Sequence, residues 1–262
     1  MTSVFEPLHD DLMAIYKIKY YRYGEPGWGP RMRLKFHYFT PDDYYEAVVE
    51  KLVATGSEWA DIGCGRDVFP QNPDLAGTLA KRCSYMYGID PDENINENRF
   101  LTDRFQGLVE DCDTDRKFDV VTMRMVAEHI THPERAIDRI SRLTKPGGRV
   151  VVYTPYKYSP MSIAATLIPF RWHNPLKRLI WDTESRDTFP TAYKLNTRSD
   201  MEGWFRKYGF ENKYFVYLDD CRIFSRYRAL NFLELTLRSL LHWCGVRHPE
   251  GCLLAVFERK SI

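Results

Sequence analysis

An excess of charge of either sign is the first thing this 262-residue sequence lacks: 37 Lys and Arg stand against 36 Asp and Glu, a formal net charge of +1. No net field draws the chain to a polyanion. No run of four or more Lys/Arg residues occurs, and aromatics do not alternate with basic residues as single-strand platforms require, so no nucleic-acid partner is expected. Paired cysteines are also missing. Cys64, Cys83, Cys112, Cys221, Cys244 and Cys252 form no CxxC pair and are irregularly spaced, which fits neither a zinc knuckle nor a dense disulfide scaffold. Six reduced thiols in a cytoplasmic protein, with no metal, are the expectation. The start, Met1-Thr2-Ser3-Val4-Phe5-Glu6-Pro7, lacks the basic region and apolar run of a signal peptide, and no stretch reaches 18 uninterrupted apolar residues, so no transmembrane segment is expected.

What is present is ordinary globular composition, 44% hydrophobic, 15% aromatic and 28% charged, in a length that suits one large domain. Residues 1–40 stand apart. Tyr16, Tyr20, Tyr21, Tyr23, Trp28, Phe36, Tyr38 and Phe39 sit among Gly24, Gly27 and Gly29, more ring surface than a free tail should expose. We read this segment as an aromatic arm or lid, with permanent packing as the competing reading, and 41–262 as a single domain.

Thr40 as N-cap and Pro41 at the first helical position, with Tyr44, Val48, Leu52 and Val53 at helical spacing, predict a helix over about 41–54. Trp59-Ala60-Asp61-Ile62 reads as a strand entering Gly63-Cys64-Gly65. A helix near 74–82 and a strand from Tyr85 to Asp90 follow. Further strands are expected near 106–109, over Phe118–Met123 and over Val150–Tyr153, with a helix opened by Pro133 and stopped at Gly147-Gly148. Strand and helix alternating in this way predict an α/β fold, a mostly parallel sheet covered on both faces. An insertion over about 155–196 breaks the alternation. Beyond it lie a helix through Trp204 and Phe205, a strand over 210–218, an amphipathic helix with Leu230, Leu233, Leu237, Leu240 and Leu241 on one face, and a terminal strand from Cys252 to Phe257.

The chemistry is carried by Asp61-Ile62-Gly63-Cys64-Gly65 after the first strand and Asp90 at the end of the second. Glycine lets a nucleotide approach the backbone, and an acid at the second strand's end can accept from both ribose hydroxyls. A dinucleotide site wants a third small residue where Asp67 stands. A carboxylate there repels pyrophosphate but not the sulfonium and ammonium of S-adenosylmethionine, so charge favours the methyl donor over NAD.

With these motifs the chain resembles the class I S-adenosylmethionine-dependent methyltransferases, in the type 11, ubiquinone/menaquinone-biosynthesis-like branch. Asp61–Gly65 is similar to the family's first motif, Gly88-Ile89-Asp90 to its ribose-binding motif, and Phe118–Val121 to its fourth strand. Glu128-His129 is similar to the pair beyond that strand, and Arg142–Gly148 to the turn before the fifth. The resemblance covers roughly 59–154, and Asp67 departs from the glycine common at its place. It implies a Rossmann-like fold with a seven-stranded, mostly parallel sheet whose last strand is antiparallel.

The resemblance also implies roles. Asp61, Gly63, Cys64 and Gly65 would bind the amino end of the donor, Asp90 its ribose, Glu110 or Asp111 its adenine, with Cys112 packed on the ring and Met125 near the methionine moiety. His129, just past the fourth strand, is the first candidate general base, with His173, Tyr156 and Tyr158 as alternatives. The insertion, rich in Pro, Tyr, Phe and Trp, could build an apolar acceptor pocket in which Tyr156, Tyr158, Arg171 and His173 contact the substrate. The expected function is methyl transfer by in-line displacement to a small aromatic or lipophilic metabolite. The alternative is a non-catalytic donor-binding or protein-interaction module. Neither reading excludes a homodimer.

Overall fold

Alternation along the strands decides the architecture. In Val150-Val151-Val152-Tyr153, Val151 and Tyr153 enter one hydrophobic core while Val150 and Val152 enter a second. In the terminal strand, Cys252, Leu254 and Val256 join the first core and Leu253, Ala255 and Phe257 the other. A sheet with apolar side chains on both faces needs cover on both. In the computed structural model, which describes residues 4–22, 24–167 and 190–261, helices supply that cover.

The sheet has seven strands: β1 Glu58–Ile62, β2 Tyr85–Asp90, β3 Asp103–Gln106, β4 Phe118–Arg124, β5 Thr144–Pro155, β6 Phe210–Asp219 and β7 Glu250–Arg259, in the order β3-β2-β1-β4-β5-β7-β6. Pairings are parallel from β3 through β5, and β7 runs antiparallel to both its neighbours. The fold expected from the sequence is therefore the fold observed. The third strand ends at Gln106, where the sequence suggested it would begin. The order reverses between β1 and β4, and the crevice at their carboxyl ends is where open α/β sheets receive ligands.

The first core lies under α1 (His9–Tyr20), α3 (Pro41–Leu52) and α4 (Pro73–Arg82). The second lies under α5 (Pro133–Leu143) and α7 (Arg198–Lys207). Thr40 caps α3 reciprocally: its hydroxyl accepts from Asp43 N at 3.3 Å, and its own N–H donates to Asp43 Oδ2 at 2.8 Å. Asn72 caps α4 by accepting from Leu75 N at 3.3 Å.

The aromatic arm folds as α1 and α2 (Trp28–Lys35). Leu12, Ile15 and Tyr16 are buried in the first core. Lys19 is buried as well, its ammonium 3.1 Å from Asp43 and 2.8 Å from Glu46, whose other oxygen accepts from Asn72 at 2.8 Å. Burial opposes the charge on Lys19, but the two carboxylates outweigh it and raise its pKa. One buried cluster thus ties α1 to α3 and to the cap of α4.

The remaining α-helices among the described residues are α6 (Pro160–Leu167) and α8 (Arg228–Trp243). The leucine stripe of α8 does not face the core. Asn231 (1% exposed) and Leu235 (0%) form its buried side, while Leu233 (60%) and Leu237 (53%) stand out from the sheet. Among the described residues, no helix is long and apolar enough to cross a membrane.

Candidate functional site

The glycine loop leaves β1 through Gly63, whose φ of +74° lies in the left-handed region, and Gly65 at +44° follows. A Cβ on Gly63 would come within 2.1 Å of Val126 Cγ2, so the loop and the end of β4 are in contact only because Gly63 has none. A Cβ on Gly65 would meet little but Asp90 Oδ2 at 3.9 Å, which leaves open space in front of that carboxylate. Gly65 N donates to Asp90 Oδ2 and Asp92 N to Oδ1, each at 2.8 Å. These bonds fix the carboxylate plane, and an ionised carboxylate has acceptor capacity beyond two such bonds.

Asp61, the penultimate residue of β1, has its side chain buried, accepting from Thr122 Oγ1 at 2.5 Å, and Trp59 Nε1 donates to the same hydroxyl at 2.8 Å. Burial raises the Asp61 pKa to about 7, against the opposing Thr122 hydrogen bond and the Arg124 charge. Cys64 points the other way. Its sulfur packs above Gly88, where an added Cβ would lie 2.8 Å from it, and burial raises its thiol pKa, so the ligand side of the loop sees Cys64 backbone alone.

Beyond β3, a short 3₁₀ turn over Val109–Asp111 carries the two candidate adenine acids. Asp111 is exposed and bound to Arg135 of α5 at 3.1 Å, whereas Glu110 is half-buried. Cys112 is a buried member of the second core. Past β4, Met125 adopts a left-handed φ of +54°, held by its N–H donating to Tyr153 O at 2.8 Å. Such backbone is costly for a side-chain-bearing residue and is common at ligand sites.

The following turn, Ala127–His129, places Glu128 inward and His129 outward. Glu128 is buried, accepts from Thr154 Oγ1 at 2.7 Å, and has its pKa raised by that burial. Asn196 Nδ2 donates to the same threonine hydroxyl at 2.8 Å. His129 Nδ1 lies 3.0 Å from Pro190 O, a contact that requires a proton on Nδ1 and leaves Nε2 as the basic nitrogen of the neutral ring. Nε2 is 3.9 Å from Glu128 Oε1.

A large cavity of about 1120 Å³ opens at this edge of the sheet. Its apolar wall is the leucine face of α8 (Leu230, Leu233, Leu237 and Leu240) and Met161 of α6, and Met125 reaches it from the β4 side. Asp220, Arg222, Glu234, His248 and Cys252 are its charged or titratable members. The structure brings the donor candidates Asp61, Gly63, Gly65, Asp90 and Met125 to one crevice.

It does not bring the acceptor candidates together. Tyr156 packs edge-on against Tyr217 with centroids 5.0 Å apart and against Tyr158 at 5.7 Å, and neither Tyr156 nor Tyr158 lines the cavity, nor does His129. Arg171 and His173 fall outside the described residues. Asp220, Arg222 and the exposed leucines escaped sequence reasoning. The leucine stripe was visible, but a periodic apolar face reads as core.

These features define a Rossmann-like methyltransferase fold, and comparison with known proteins agrees. Residues 36–214 match the family model described as a methyltransferase domain. The chain belongs to this family, the class I S-adenosylmethionine-dependent methyltransferases, whose methyl donor is S-adenosylmethionine. It is 24% identical over 139 residues to a ubiquinone biosynthesis O-methyltransferase of Coxiella burnetii, covering 48% of this chain and 56% of that one. To the enzyme of the same name from Rhodopseudomonas palustris it is 27% identical over 129 residues, covering 45% and 48%. The chain thus matches about half the length of these relatives.

Among solved structures it resembles a putative sarcosine dimethylglycine methyltransferase from Galdieria sulphuraria (TM-score 0.52, 11% identity, 84% of this chain and 85% of that one). It also resembles the [4+2]-cyclase SpnF (TM-score 0.51, 18% identity, 84% and 82%). Both likenesses are of fold. The residues present fit the donor: the open space at Gly65 faces an oriented Asp90 carboxylate, and an ammonium group would supply buried Asp61 with a counter-charge.

Proposed function

We propose that this protein methylates a small lipophilic or aromatic metabolite held in the cavity beside α8. One observation carries the reading: a cavity of about 1120 Å³ with an apolar helix for its wall reaches Met125, and the neighbouring Val126 touches the glycine loop at Gly63. Bound S-adenosylmethionine supplies an electrophilic methyl group for in-line displacement. Asp90 then accepts from the ribose hydroxyls and Asp61 holds the amino end. Glu110 serves the adenine in preference to Asp111, which Arg135 engages. The apolar wall excludes water and fixes the acceptor, so alignment supplies much of the rate. His129 lies off the cavity lining, so it takes the acceptor's proton, where one must leave, only from an acceptor that reaches past that lining to the turn after β4.

The names of the curated relatives specify O-methylation, so hydroxyl-bearing acceptors are tried first, ahead of amines. Incubation of the protein with donor and an acceptor panel should yield a methylated product and S-adenosylhomocysteine in step, read by mass spectrometry. Leu237→Arg, which puts a charge on the apolar wall, should abolish turnover and leave donor affinity within about twofold of wild type. Donor binding without any methylated product would favour the non-catalytic reading instead. A Leu237→Arg protein that turns over normally would remove the cavity as the acceptor site.

A further inference from the structure

Asp219 ends β6, Cys221 lies two residues on, and His248 precedes β7. The antiparallel pairing of β6 with β7 brings these separate segments together. Cys221 Sγ is 4.0 Å from His248 Nδ1, and His248 Nδ1 is 3.8 Å from Asp219 Oδ2. One ligand atom from each residue lies within 4.8 Å of the others. A tetrahedral ion with bonds of about 2.0–2.3 Å sets its ligand atoms roughly 3.3–3.6 Å apart, so small side-chain rotations close the set. We propose that Asp219, Cys221 and His248 form a site for a borderline-soft divalent cation of the zinc class.

The donor set points to that class. Thiolate and imidazole disfavour magnesium and calcium and suit zinc or cobalt. The scaffold is rigid where a site needs rigidity. Cys221 is fully buried, and its backbone N–H donates to Tyr38 Oη at 2.9 Å, while that hydroxyl donates to Asp219 O at 3.1 Å. Arg238 binds Asp219 Oδ2 through Nε and orients the carboxylate as an outer-shell partner does.

The local charge also has room for a cation. Three carboxyl groups stand about the site, Asp219, Asp220 and Glu234, the last joined through Asn231 to the Cys221 carbonyl, against two guanidinium groups, Arg238 on Asp219 and Arg222 on Asp220. Binding breaks the Cys221 S–H bond, forms a metal–sulfur bond and releases the proton to solvent. Three protein ligands leave the fourth tetrahedral position to water. His248 also lines the cavity, so an oxygen of a bound acceptor is the other candidate, a point that rests on the acceptor reading above.

The test is cobalt titration of the full chain after chelator treatment, under reducing and anaerobic conditions, with no methyl acceptor present. The expected result is one cobalt per chain, with a thiolate-to-cobalt charge-transfer band and visible bands of tetrahedral intensity. Zinc should displace the ion, and excess magnesium should not. Cys221→Ser should abolish the charge-transfer band, His248→Ala should weaken binding at least tenfold, and Cys244→Ser, at an exposed thiol, should leave the spectrum unchanged. Absence of a thiolate band at saturating cobalt would overturn the proposal, as would a band that survives Cys221→Ser. If Cys221→Ser does not fold, His248→Ala decides: unchanged affinity and spectrum would overturn the site. The readout is independent of methyl transfer, so failure of the acceptor assignment leaves this result standing.

Discussion

Arg222 donates through Nη1 to Asp42, a residue 180 positions earlier in the chain, and so joins the loop after β6 to the first turn of α3. Arg124, at the end of β4, donates to the other oxygen of Asp42 at 2.8 and 3.2 Å. Arg222 also binds Asp220 at 2.7 Å. Three elements that frame the site are thus fastened by one buried carboxylate between two guanidinium groups. Burial opposes ionisation of Asp42, but Arg222 and Arg124 outweigh it and hold its pKa well below the usual carboxylate range.

Asp42→Asn should therefore cost about 3 kcal/mol, because it leaves two half-buried guanidinium groups short of a counter-charge. The depressed pKa means that the stabilisation is present above the unfolded carboxylate pKa and is lost as pH falls through the folded value. Urea melts should show the gap between wild type and variant at neutral pH and its narrowing in acid. Equal stability at neutral pH would show that the network contributes nothing net.

Asp90→Ala should weaken S-adenosylmethionine binding by about 1–3 kcal/mol, by removing the acceptor for the ribose hydroxyls. Calorimetry on a variant with an unchanged fold measures this directly. An unaltered dissociation constant would take Asp90 out of the donor site.

Asp61 gives a pH signature. Its pKa is raised to about 7 by burial, so its contribution to the stability of the free protein is present in acid, below the unfolded value, and lost as pH rises through about 7. Asp61→Asn should stabilise the free protein above neutrality, by on the order of a few kcal/mol, and change it little near pH 4. Donor affinity should show the opposite trend in wild type, rising up to about pH 7 as the carboxylate ionises to meet the ammonium group. The asparagine variant should bind weakly, with that rise gone. An identical pH profile in both proteins would remove Asp61 from the donor's amino end.

If His129 takes the acceptor's proton, His129→Gln should slow the chemical step by about 10²–10⁴-fold and leave donor affinity unchanged. Single-turnover kinetics separates the two quantities. A rate within about twofold of wild type would reduce His129 to a stabiliser of the turn after β4.

The aromatic arm makes the last prediction. Leu12, Ile15 and Tyr16 sit in the first core, and buried Lys19 bridges Asp43 and Glu46 beside it. We expect α1 to act as a fixed wall. Its amides should be protected from hydrogen exchange with or without ligand, and deletion of residues 1–30 should unfold the protein rather than merely slow it. A folded, donor-binding truncation, or protection that appears only on ligand addition, would restore the lid.

The sequence alone determined what short-range chemistry encodes. Thr40 and Pro41 mark the start of α3 because caps act within one turn. Val150–Tyr153 marks a strand covered on both faces because its apolar residues do not alternate with polar ones. Asp61, Gly63 and Gly65 mark the turn out of β1 because backbone geometry over a few residues is local, whereas the meeting of Gly65 with Asp90 waits on the crossover through α4. The tertiary structure decided whatever depends on partners far along the chain. Nothing near Asp42 in sequence announces Arg222, nor does anything near Asp219 announce His248, since ion pairs and ligand sets form through space and leave no period. The α8 leucines show the same limit: periodicity reports that a helix has an apolar face, and only packing decides whether that face meets the core or walls a cavity.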